Sequence, residues 1–226
     1  LHKLGWTYEK DGALWLKTAD ILREHFRKAG KKEADIEKLD LKDDVVQYCE
    51  KVARELGYDG LTFLTGDIQS YTSGDPIDMV VTLHACDVAT DAAIVQAIGW
   101  DCRILLTVPC CQHELFGQIK NDRMKVVTKH GILKERLSAI LTDSVRGQLL
   151  EACGYEVNIM EFISMEHTPK NLLIKAVKKG AYRQDRYREY LDLARDWQIR
   201  PYLEEELVKA GRIPEREEQR PEYMIR

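Results

Sequence analysis

The stretch ILLTVPCCQHEL, residues 104–115, sets five apolar residues before a proline, two adjacent cysteines, a glutamine and a histidine. Thiols ligate soft metals or act as nucleophiles, and a histidine accepts a proton near neutral pH. A glutamine amide and strand-end carbonyls hold an amine by its hydrogens. Comparable endings recur along the chain. LTFLTGDI closes on Gly66-Asp67-Ile68, DMVVTLHACD on His84-Ala85-Cys86-Asp87, and EHTPKN carries Glu166, His167 and Asn171. Asp40-Leu41 stands just before an amphipathic run. A metal site is not expected, because adjacent cysteines are not the usual CxxC pair and no second pair completes a structural site. A hydrolase-type thiol is disfavoured by the lack of a Cys-His-Asn/Asp signature. The reading kept for Cys110-Cys111 is small, soft residues that let a ligand approach.

These residues need elements to hold them. DDVVQYCEKVARELGY, residues 43–58, spaces Val45, Val46, Cys49, Val52, Ala53 and Leu56 as one apolar helix face and stops at Gly57. Strands are predicted at 61–68, 78–87, 102–111, 156–163 and 171–179. Helices are predicted at 89–100 and at 132–155, the latter with a possible break at Gly147. Before them, 13–29 has partly helical spacing, and 30–38 is charged enough to read as a linker. Strands alternating with helices predict an α/β fold with a doubly wound, mostly parallel sheet. The loop SMEHTP is too short for a crossover, so the last strand must run antiparallel. From Gly180 the chain is highly charged, with Tyr187 and Tyr190 at helical spacing, and reads as a helical C-terminal extension.

Composition narrows the function classes. The 226 residues are 44% hydrophobic and 32% charged, with a net charge of −4. No global positive field points to nucleic acid, although residues 170–188 are locally basic. No apolar run reaches the roughly 18–20 residues of a membrane span. Six scattered cysteines are expected to be reduced thiols, which suits the cytoplasm. The oligomeric state is not legible.

In open parallel sheets, ligands bind beyond the carboxyl ends of the strands. The strand ends above therefore form the candidate site. LDLKDDVVQYCEKVARELGYDGLTFLTGDI, DMVVTLHACDVATDAA, VPCCQHEL, KHGILKERL and EHTPKNLLIKAV together resemble a family of class I, Rossmann-like S-adenosylmethionine-dependent methyltransferase-domain proteins. It includes ribosomal-RNA-adenine-dimethylase-domain-containing and glutathione-S-transferase-C-terminal-domain-containing proteins. The resemblance covers 39–179, leaving 1–38 as an N-terminal helical or linker segment and 180–226 as the extension. It implies S-adenosylmethionine as cofactor and a methyl acceptor of unknown class, RNA among the candidates. Asp40, with Leu41, would take the ribose hydroxyls, or else Asp40 caps the following helix. Asp67 and Ile68 would hold adenine, or else form a plain turn. His84, Ala85 and Cys86 would flank the methyl donor. Pro109, Cys110, Gln112 and His113 would form the catalytic acceptor side, rimmed by Cys111, Glu166, His167 and Asn171. His113 is either a base for the acceptor or a surface histidine opening the next helix.

One departure stands out. The family carries a glycine-rich loop after its first strand, and no G-x-G occurs in these 226 residues. Either a segment is absent, joined near Lys38-Leu39, or the chain is a truncated relative that serves as a non-catalytic binding module.

Overall fold

The computed structural model describes residues 36–57, 60–83, 85, 88–109, 112–161 and 171–216. They divide between Thr72 and Ser73 into two compact units. The helix expected at 13–29 lies outside the described residues.

In the first unit, strand β1 (Ile36–Asp40) leads into helix α1 (Asp43–Glu55) and then strand β2 (Leu61–Thr65). β1 and β2 are parallel, in register from Ile36 opposite Leu61 to Asp40 opposite Thr65. α1 buries Val46, Cys49 and Ala53 against Phe63 of β2. Asp43 and Asp44 occupy its first turn and Arg54 its last, each charge favourable to the helix dipole. The linker read at 30–38 gives way at Ile36. Among the described residues β1 pairs with β2 and no other strand, which leaves the charges of IEKLD room at its edge, and Glu37 lies exposed.

The second unit begins with β3 (Met79–Leu83), α2 (Val88–Gly99) and β4 (Ile104–Val108). Short helices α3 (Glu114–Gln118) and α4 (Lys125–Thr128) precede the long α5 (Gly131–Ala152). Strands β5 (Tyr155–Glu161) and β6 (Leu172–Lys178) follow, then α6 (Gln184–Trp197) and α7 (Tyr202–Lys209). The sheet order is β3-β4-β6-β5. β3 and β4 are parallel, and β6 is antiparallel to both β4 and β5. Three strands of this sheet thus share one direction and the last opposes them, as the short connection before β6 requires. The fold is α/β with a mostly parallel, Rossmann-like arrangement.

Leu105 of β4 and Ile174 and Ala176 of β6 are fully buried in one cluster with Ile94 of α2 and Leu149 and Leu150 of α5. Residues beyond Gly180 join the same cluster. Tyr187 and Tyr190 lie on a helix, as their spacing predicts, and face inward, and Leu203, Leu207 and Ile213 extend the core. The Tyr187 hydroxyl donates to the Pro214 carbonyl at 2.7 Å, and Arg216 donates to Glu204 at 2.6 Å and to the Tyr190 hydroxyl at 2.9 Å. α5 runs unbroken through Gly147, the position of the possible break. A Cβ there would stand 3.2 Å from Cδ1 of Ile159, so glycine lets β5 close on the helix without ending it. Among the described residues, no helix is long and apolar enough to cross a membrane.

The cysteines described in this unit, Cys102 and Cys153, are buried free thiols. Burial pushes the Cys153 thiol from 9.0 up to about 11, with Lys178 and Arg212 opposing. Below the unfolded value its contribution to stability is fully present. Between pH 9.0 and about 11, unfolding releases its proton, so that contribution falls as pH rises. The slope is up to about 1.4 kcal/mol per pH unit. Denaturant titrations across that window should show a steeper decline for the native chain than for Cys153→Ala; equal slopes would refute the shift.

Candidate functional site

The first unit brings two of the expected carboxylates to the carboxyl ends of neighbouring parallel strands. Asp40 ends β1, and its carbonyl accepts the Gly66 N–H at 3.0 Å just beyond β2. Its Oδ1 accepts the Lys42 N–H at 3.1 Å. The residue in the N-cap position is Lys42, and no side chain caps α1. Asp40 therefore supports the turn before the helix instead of capping it. Among the described residues no further donor reaches this half-buried carboxylate. Leu41 is 72% exposed. Asp67 accepts the Gln69 N–H on Oδ1 at 3.0 Å, and its carbonyl accepts the Ser70 N–H at 3.1 Å, so Asp67 opens a tight turn with Ile68 half-buried inside it. Thr65 donates to Asp43 at 2.9 Å, tying the end of β2 to the start of α1.

The second unit gathers Ala85, Pro109, Gln112, His113 and Asn171 at one edge of its sheet. β3 and β4 end together, Leu83 opposite Val108. The antiparallel register of β6, with Ile174 opposite Thr107, carries buried Asn171 to that same edge. The Ala85 carbonyl accepts the Thr90 hydroxyl at 2.6 Å, which fixes the entry to α2. Pro109 is buried, and Gln112 is 6% exposed. His113 is exposed, precedes α3 and spends no side-chain hydrogen bond on capping it. His84, Cys86, Cys110, Cys111, Glu166 and His167 lie outside the described residues. Among the described residues no group of His, Cys, Asp or Glu is arranged to hold a metal ion.

Sequence reasoning passed over three charged residues behind this edge. Arg146, 1% exposed, clamps Asp91 with two bonds, Nε to Oδ1 at 2.7 Å and Nη2 to Oδ2 at 3.1 Å. Its Nη1 donates to Asp143 Oδ1 at 3.1 Å. The other oxygen of Asp143 accepts the Gln112 amide at 3.0 Å, and the same amide nitrogen lies 3.5 Å from the Pro109 carbonyl. Burial works against the Arg146 charge, but Asp91 and Asp143 outweigh it and hold the guanidinium above its ordinary value. A signal for the cluster was present. ATDAAIVQAIG is apolar on every side apart from Thr90, Asp91 and Gln96, so its lone carboxylate must be buried and needs a cation.

Residues 17–118 match the family described as a methyltransferase domain. A glutathione S-transferase C-terminal domain-containing protein of Homo sapiens is 26% identical over 158 residues, covering 57% of this chain. That of Macaca fascicularis matches equally. The chain spans about a quarter of the length of these relatives, 24%. Among solved structures, an rRNA methylase from Streptococcus thermophilus is similar at 13% identity, covering 65% of this chain and 74% of that one with a TM-score of 0.43. The magnesium protoporphyrin IX methyltransferase of Synechocystis PCC 6803, solved with bound SAH, is 16% identical over 71% of this chain and 70% of that one, with a TM-score of 0.39. The resemblance read from LHACD and VPCCQH to methyltransferase-domain proteins stands on the domain match and the curated relatives. The match begins at residue 17, ahead of the 39 at which the motifs begin.

Proposed function

We propose that this chain is an S-adenosylmethionine-dependent methyltransferase acting on an acceptor still to be identified. The observation that carries the reading is the methyltransferase-domain match over 17–118. The residues of the first unit suit the cofactor. One oxygen of Asp40 is spent on Lys42, and among the described residues no donor reaches the other, which would accept ribose hydroxyls. Leu41 offers exposed apolar surface at the same strand end, and Asp67 with Ile68 offers a carboxylate beside an apolar side chain for adenine. His84, Ala85 and Cys86 would border the donor.

When bound, S-adenosylmethionine supplies a methyl group on a sulfonium centre, and the protein's contribution is alignment and exclusion of water. Buried Pro109 and the residues after it would present the acceptor, with Cys111, Glu166, His167 and Asn171 as its rim. His113 would accept a proton where the acceptor must lose one. The acceptor classes considered are RNA, protein and small molecules, and the site of action proposed is the cytoplasm.

A second reading, a degenerate methyltransferase fold that serves as a binding module, is favoured by the missing G-x-G. Calorimetry with S-adenosylhomocysteine separates the two. The native chain should give saturable heat, and Asp40→Ala should bind roughly ten- to a hundredfold more weakly, as the loss of hydrogen bonds to a charged group implies. No saturable heat from the native chain would leave the binding module as the reading.

A further inference from the structure

We infer that Arg146 is a positioning residue for Gln112 and the start of α3, acting through Asp143. The consequence for methyl transfer rests on the function proposed above, but the geometry does not. Gln112 stands among the catalytic candidates of the sequence, yet it is buried and its amide points to Asp143 at 3.0 Å. The contacts form a relay. Asp91, in the first turn of α2, fixes the Arg146 guanidinium by two bonds; Arg146 orients Asp143 from within α5; Asp143 holds Gln112 beside the Pro109 carbonyl. Gln112, next to His113, is thereby held from the helix behind it.

Stability alone does not account for such a cluster, since buried ion pairs are often matched or bettered by apolar residues of similar size. Direction is what it provides. A guanidinium presents its donors in a rigid fork, so the carboxylate it grips has one orientation and presents one oxygen to one partner. Asp143 thus gives one oxygen to the Arg146 fork and turns the other to the Gln112 amide, which donates to it.

The test exchanges the polarity of the last link and follows amide hydrogen exchange residue by residue. Asp143→Asn turns an NH2 to Gln112, whose amide can accept it only by rotating its own NH2 off the Pro109 carbonyl, and should speed exchange of residues 112–116 at least tenfold, while β4 and β6 keep native rates. Adding Gln112→Glu returns an acceptor to the pair with the same total charge and should restore loop exchange to within about threefold of native. Gln112→Met, which leaves Arg146 and both carboxylates untouched, should loosen the same residues alone and covers the case in which Asp143→Asn does not fold. Loop and sheet amides accelerating together, or no rescue in the double variant, would overturn the inference. S-adenosylhomocysteine calorimetry on the native chain keeps the two ideas apart. Local loosening without cofactor heat overturns the proposed function and leaves the positioning role standing. Cofactor heat with uniform loosening does the reverse.

Discussion

Arg146→Met lowers the free energy of unfolding by about 3–5 kcal/mol, the range found when one partner is removed from a buried pair. For a chain of this length that is a fall of roughly 6–20 °C in Tm. The reason is what is left behind. Asp91 and Asp143 are 1% and 3% exposed, and without the guanidinium both buried carboxylates lose the cation that compensates them. Methionine keeps much of the arginine stem's volume, which separates lost charge from lost packing. Adding Asp91→Leu and Asp143→Leu removes the stranded charges and should recover most of the loss. A single variant within about 1 kcal/mol of native would mean that solvent or another cation already reaches the cluster.

The contrast between what could be read ahead and what could not follows from where the information lies. The helix at 43–55 was legible because Val46, Cys49 and Ala53 repeat at helical spacing, and the reversal of β6 because a short loop cannot cross a sheet. β1 was missed because its stability comes from pairing with β2, and pairing leaves no periodic mark on a strand of five residues. That Asp40, Asp67, Ala85 and Pro109 lie at or just beyond strand ends was legible, since the carboxyl edge of a parallel sheet is set by topology. The relay behind them was not. Asp143 and Arg146 sit three apart in a helix and look like a surface pair; only the fold shows that their partners are Asp91, 55 residues from Arg146, and Gln112, 31 residues from Asp143. The C-terminal helices were legible as helices. That they complete the core depends on Tyr187, Tyr190, Leu203 and Leu207 meeting a sheet far away in sequence.

Where those helices join the sheet, Gly154→Ala should cost about 3–4 kcal/mol, well above the same exchange at Gly211. Both glycines have left-handed backbones, φ +88° at Gly154 and φ +66° at Gly211, a conformation that costs an L residue roughly 1–2 kcal/mol. They differ in their surroundings. A Cβ at Gly211 would meet nothing within 4 Å, whereas one at Gly154 would stand 2.2 Å from the Gly180 carbonyl oxygen and 2.5 Å from that of Ala181. Neither oxygen can move alone. The Gly154 carbonyl accepts the N–H groups of Lys179 and Gly180, and the Ala152 carbonyl accepts that of Arg183 at 2.7 Å just before α6. Relieving the clash shifts the crossover from β6 to α6 and pulls Tyr187 and Tyr190 from a close-packed core, where small displacements are costly. Denaturant midpoints of the two alanine variants at pH 7 decide the matter. A Gly154 deficit no larger than that of Gly211 would leave backbone conformation as the whole effect, and the contact between the end of α5 and the start of the C-terminal helices would be looser than described.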